Sequence, residues 1–185
     1  QTAVSGLNGM TPRDHQAKAI SAWISQGRRG IFEHATGSGK TFSALCAVKD
    51  ALSKGEVPII LVPSRILFEQ WEEDIDKLLP DDVVVLKCGN GHYRWSENDL
   101  LGAFTRPSGQ DSRLVLSTMN TAYKDKFRSA LHQGSHLFVV ADEVHRIGSP
   151  SFRRILQVDS GPRLGLSATP RRAGDPDGTQ AIFDY

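Results

Sequence analysis

Polar and apolar positions along the chain alternate between two periods. Residues 14–24 place Ala19, Ile20, Trp23 and Ile24 at helical spacing, and Gly27 closes the segment. Residues 30–33 read as a short strand, and residues 40–54 as a second helix stopped by Gly55. Val57-Pro58-Ile59-Ile60-Leu61-Val62 is apolar throughout, the mark of a strand buried on both faces. A third helix opens at Pro63-Ser64, carries Ile66, Leu67, Gln70, Trp71 and Ile75, and closes near Leu79. Further strands are expected at 83–86, 114–116, 137–141 and 164–166, with helices at 118–131 and 150–156. Residues 1–11 read as a loose tail around Gly6 and Gly9, and 88–110 as the least regular stretch.

Strands without polar alternation, separated by helices, predict an α/β fold: a mostly parallel sheet with helices on both faces. Ligands of such sheets bind beyond the carboxyl ends of the strands. Gly37, Asp142 and Ser167 each follow a strand, so the chemistry is expected along that rim. No internal repeat or low-complexity tract interrupts the pattern.

Composition narrows the classes. With 185 residues the chain suits one well-buried domain. A net charge of +1 excludes attraction of nucleic acid by the whole surface, so any such contact is a local patch. Cys46 and Cys88 belong to no paired spacing and read as reduced thiols rather than a disulfide or metal site. Neither a secretion signal nor a run of membrane-spanning length is visible, and a cytoplasmic or nucleoid-associated location is expected. The chain starts at Gln1 and ends on Ala181-Ile182-Phe183-Asp184-Tyr185, and is expected to be a piece of a longer protein.

Two segments carry the chemistry. In His34-Ala35-Thr36-Gly37-Ser38-Gly39-Lys40-Thr41 the glycines let backbone amides point at phosphate oxygens. The helix opening near Lys40 adds the positive end of its dipole. Lys40 can neutralise the terminal phosphates of ATP, and the Thr41 hydroxyl can face magnesium. A strict Walker pattern has glycine where this chain has His34; the strand–loop–helix context carries the assignment. Downstream, Asp142 ends an apolar run, where its carboxylate can reach the same magnesium, and Glu143 is placed to orient or deprotonate the attacking water. Together the segments imply ATP binding and hydrolysis. His145 alone reads as structural, and neither His132 nor His136 completes a zinc motif. Gly165-Leu166-Ser167-Ala168-Thr169 lacks the last glycine of a hydrolase elbow; Ser167 and Thr169 are expected to bond to the neighbouring acidic strand end.

These residues resemble the first RecA-like domain of superfamily-two helicases and translocases, nearest to DExH-type enzymes of the repair-helicase and restriction-subunit kind. Ala35–Thr41 looks like their motif I, Asp142-Glu143-Val144-His145 like motif II, and Ser167-Ala168-Thr169-Pro170 like motif III. Leu61-Val62-Pro63-Ser64-Arg65 with Glu69-Gln70-Trp71 looks like motif Ia, and Ser117-Thr118-Met119-Asn120 like the segment called Ic. Pro12-Arg13-Asp14-His15-Gln16 resembles the Q-type motif, which makes Gln16, beside Arg13, the expected adenine sensor through its two-ended amide. The resemblance implies a RecA-like domain over residues 12–173, ATP with magnesium as cofactors, and His145, Ser167 and Thr169 as coupling residues.

It also implies a motor on nucleic acid, with double-stranded DNA favoured. Ser64, Arg65 and Thr118 would meet the sugar–phosphate backbone, which positions a strand without reading it. Gly91 lies in Gly89-Asn90-Gly91-His92-Tyr93-Arg94-Trp95, a stretch that either tracks a strand or folds its aromatics onto the core. Nothing after Thr169 resembles a second RecA-like lobe, and Gly174-Asp175-Pro176-Asp177-Gly178 is expected to begin a connection to one, over residues 174–185. Without that lobe's arginine, worth roughly three to five decades in comparable enzymes, slow turnover is expected. Two other classes stay open. A small phosphate-loop kinase would need a basic lid, which Arg153, Arg154, Arg171 and Arg172 do not clearly form. A nucleic-acid module with a vestigial ATP site sits badly with intact Lys40, Thr41, Asp142 and Glu143.

Overall fold

The computed structural model describes residues 5–33, 39–107, 109–146 and 149–167. Their helices are α1 (Asp14–Ser25), α2 (Lys40–Ser53), α3 (Arg65–Leu78), α4 (Leu100–Phe104), α5 (Met119–Ala122) and α6 (Asp125–Ala130). The strands are β1 (Arg29–Phe32), β2 (Val57–Val62), β3 (Val84–Cys88), β4 (Arg113–Thr118), β5 (Leu137–Ala141) and β6 (Arg163–Leu166). Among the described residues they form one six-stranded sheet in the order β1-β6-β5-β2-β4-β3. Every pair is parallel, as the unbroken apolar strands predict. Pro58 is tolerated in central β2 because the Val57 amide points toward β5, to the His136 carbonyl, which turns the Pro58 nitrogen toward β4, where the ladder starts only at Ile59.

Alternation along each strand divides the core. Ile60 and Val62 of β2, Leu114 and Leu116 of β4, and Phe138 and Val140 of β5 pack with α1, α2 and α3. Val57, Ile59, Leu61, Val115, Leu137, Val139 and Ala141 pack on the opposite face with α4, α5 and α6. The next residue after β5, Asp142, therefore falls by parity on the face of α2 and α3. Ser167, following Leu166 of the first cluster, falls on the other.

Four expectations change. Residues 5–11 are no loose tail: Leu7 is wholly buried in the first core cluster, and Leu7 and Met10 exchange backbone bonds of 2.9 and 2.8 Å. Lys49 Nζ holds the turn by donating to the Gly6 carbonyl at 2.9 Å. The helix expected over 118–131 splits into α5 and α6 at Lys124, whose backbone is extended, and the break lets Phe127 meet Trp95 edge-on at 5.5 Å. The stretch 88–110 contains α4 and a 3-10 turn at Arg94–Ser96; the helix expected at 150–156 is a 3-10 helix over Phe152–Gln157.

Candidate nucleotide site and nucleic-acid edge

Parity places Asp142 on the sheet face covered by α2 and α3. Asp142 extends the β2–β5 ladder, its amide donating to the Leu61 carbonyl at 2.9 Å. Its side chain is only 6% exposed and both carboxylate oxygens have donors. The Trp71 indole Nε1 donates to Oδ2 at 2.9 Å, and the Glu143 amide donates to Oδ1 at 2.8 Å. Burial pushes the Asp142 carboxyl above its usual range; the two N–H donors oppose that, the Glu143 charge adds to it, and the Lys40 ammonium opposes it. Lys40 opens α2 after β1 and Asp142 follows β5, so both lie at the carboxyl rim of the parallel sheet, on the face that α2 covers. Bonds to a charged group contribute about 1.5–3 kcal/mol each, enough to keep a desolvated carboxylate in place.

Lys40 and Thr41 form the first turn of α2, after Gly39 at φ 79°. The left-handed backbone at Gly39 favours glycine, and a Cβ there would lie 2.3 Å from Gln16 Nε2 and displace that amide. Gln16 is buried and occupied at both ends: Nε2 donates to the Gly39 carbonyl at 3.2 Å, and Oε1 accepts from the Arg13 amide at 2.8 Å. The expected adenine sensor therefore braces the end of the phosphate loop, and Arg13 contributes its backbone to that brace. Thr36, Gly37 and Ser38, with the rest of 34–38, lie outside the described residues, as do Thr169, the other residues of 168–173 and the expected connection at 174–185.

Glu143 sits in the left-handed region at φ 49°, turning the chain sharply after β5. Its Oε2 is 3.4 Å from His145 Nε2, and His145 Nδ1 lies 3.2 Å from the buried Ser167 Oγ. Ser167 in turn donates its amide to the Phe32 carbonyl at 3.2 Å, just before the phosphate loop. His145, read from sequence as structural when taken alone, links the ends of β5 and β6.

The opposite half of the rim holds the expected nucleic-acid residues. Ser64 caps α3, its hydroxyl accepting from the Leu67 amide at 3.3 Å; Arg65 pairs with Glu69 at 2.8 Å in the open. Thr118 caps α5 and lies 3.1 Å from the Thr121 hydroxyl. Gly89 and His92 pair across Asn90 and Gly91, both at positive φ, in a tight two-residue hairpin. His92 stacks on Phe68 of α3 at 5.8 Å, which joins the hairpin to the Ser64 end. Both readings of this stretch hold in part: Trp95 folds into the core, while Tyr93 is 72% exposed. The partner of Asp142 was missed; its signal was an indole, a donor-only group, on the buried face of α3.

Fold and site define a RecA-like domain of the superfamily-two helicase type. The family described as "Type III restriction enzyme, res subunit" matches residues 9–172, and the chain belongs to it. The DNA 3'-5' translocase XPB2 of Sulfurisphaera tokodaii is 34% identical over 172 residues, 92% of this chain and 33% of that protein. The XPB/SSL2 helicase/translocase subunit of the general transcription and DNA repair factor IIH of Saccharomyces cerevisiae is 28% identical over 90% of this chain and 19% of its own length. The fold matches the Sulfolobus solfataricus SWI2/SNF2 ATPase core, solved in complex with dsDNA, with a TM-score of 0.70 at 18% identity, covering 100% of this chain and 38% of that one. The chain thus spans about a third or less of the length of these relatives.

Proposed function

We propose that this chain is the ATP-binding motor lobe of a DNA-dependent helicase or translocase. The observation that carries the reading is the held carboxylate of Asp142 at the carboxyl end of β5, on the sheet face covered by α2, whose first turn carries Lys40 and Thr41. The donor set fits magnesium. Asp142 offers a carboxylate whose oxygens are held by neutral N–H groups, and Thr41 offers a hydroxyl; hard oxygens with room for phosphate and water suit this cation. When bound, magnesium neutralises charge on the phosphate oxygens. Lys40 neutralises the terminal phosphates, the α2 N-terminus adds its dipole, and Glu143 orients the attacking water and takes its proton. His145 and Ser167 tie that glutamate to β6, and Thr169 would extend the tie.

Ser64, Arg65, Gly91 and Thr118 would meet the backbone of double-stranded DNA; the relatives named for DNA translocation and the neighbour solved on dsDNA support this choice. A second RecA-like lobe would complete the cleft. Without it, hydrolysis by this chain is slow, and brisk DNA-stimulated turnover by the chain alone would contradict that. The direct test is Lys40→Ala. MgATP affinity, measured by calorimetry, is expected to fall on the order of 100-fold, through loss of a charge-assisted phosphate contact, with the melting temperature little changed. A variant that binds MgATP normally would remove the site assignment.

A further inference from the structure

We propose that Trp71 is a positioning residue for the magnesium site, its buried indole N–H fixing the plane of the Asp142 carboxylate from helix α3. The inference rests on the reading of Asp142 as a magnesium carboxylate. The torsion that orients an aspartate carboxylate is broad and roughly two-fold, so the side chain alone does not set where its oxygens point. Here both are pinned, Oδ2 by Trp71 at 2.9 Å and Oδ1 by the Glu143 amide at 2.8 Å, each keeping capacity for a second contact.

The kind of donor matters. An indole gives one N–H and carries no charge, so it satisfies Oδ2 without cancelling the negative charge a cation needs. Arginine or lysine at the same place would hold the oxygen and neutralise the site. Trp71 is itself 1% exposed and packed in the α1–α2–α3 core cluster, so the N–H is delivered by a rigid body rather than a mobile side chain. The same helix begins at Ser64 and Arg65, the residues expected at the nucleic-acid edge. Two turns of helix, about 10 Å, separate them from Trp71, which makes α3 the physical link between the two halves of the rim.

The test is a double-mutant cycle read on metal binding. Free Mn2+, standing in for magnesium, is titrated by electron paramagnetic resonance against the chain with a non-hydrolysable ATP analogue. Trp71→Phe keeps an aromatic ring in the core and removes the donor. It is expected to weaken Mn2+ binding about 10-fold, the usual scale for loss of a group that orients a metal ligand, while analogue affinity in EDTA stays the same. In an Asp142→Asn background, Trp71→Phe is expected to add nothing. Should Trp71→Phe fold poorly, the benzothiophene isostere of tryptophan at position 71 has the ring shape without the N–H and must give the same weakening. Unchanged Mn2+ affinity with the donor gone, or equal losses in both backgrounds, overturns the proposal. If Asp142→Asn leaves Mn2+ binding unaltered, the magnesium reading falls first and the role of Trp71 with it.

Discussion

The two halves of the rim differ in how they hold their residues. At the β1, β5 and β6 ends, Asp142 and Ser167 are buried and tied to neighbours. At the α3 and β3 ends, Ile66 is 69% and Tyr93 72% exposed, and Arg65 pairs with Glu69 in open solvent. Burial strengthens electrostatics and demands fixed partners; exposure leaves charges screened and contacts adjustable. The first environment suits chemistry on a compact, multiply charged phosphate group. The second suits a polymer that must be gripped and released at many positions.

Each half is pinned by one glycine, and exchanging them sharpens the contrast. A Cβ at Gly39 would strike Gln16 Nε2 at 2.3 Å; one at Gly89, φ 81°, would lie 2.4 Å from both the Thr118 and Thr121 hydroxyls. Gly39→Ala and Gly89→Ala are each expected to cost about 1–3 kcal/mol, read by denaturant titration. Their binding effects should separate: Gly39→Ala weakens nucleotide and spares DNA, Gly89→Ala the reverse. Parallel losses of both ligands in either variant would erase the distinction between the halves.

A smaller effect tests burial at Asp142. Its carboxyl is raised above the value it has in the unfolded chain, chiefly by desolvation, so the fold favours the protonated form. That contribution is present in full below the unfolded carboxylate range and is lost as pH rises through the raised value. The melting temperature of Asp142→Asn minus that of the native chain should therefore grow with pH, whatever its sign at the start. A flat or falling difference would show that the carboxylate is not desolvated.

The smallest expected change in stability is at Arg65. Its guanidinium is fully exposed, and only Glu69 raises its proton affinity. Arg65→Ala should leave the melting temperature unaltered, yet weaken DNA binding equally across sequences and reduce the salt slope by about 1. A measurable loss of stability without loss of DNA affinity would make this residue part of the fold rather than of the interface.

Much of this was legible in the chain. The apolar β2 and β5, the stops at Gly27 and Gly55, and the position of Asp142 at a strand end follow from period and punctuation, because central parallel strands have few alternatives. What escaped depended on contacts between distant segments. Leu7 lies among glycines and polar residues, and only docking beside Lys49 turns that segment into structure. Helix α4, five residues around Gly102, is too short to show a period, and the break at Lys124 serves the packing of Phe127 on Trp95. Lys40, Asp142 and Glu143 could be named from local motifs. The bond from Trp71 to Asp142 spans 71 residues, and no spacing rule announces it.

The most direct trial of the central claim is a crystal structure of the chain with magnesium and a non-hydrolysable ATP analogue. The metal is expected in contact with the Thr41 hydroxyl and beside Asp142, directly or through one water, with the terminal phosphate at Lys40. A nucleotide seated elsewhere, or a metal away from Asp142, would contradict it.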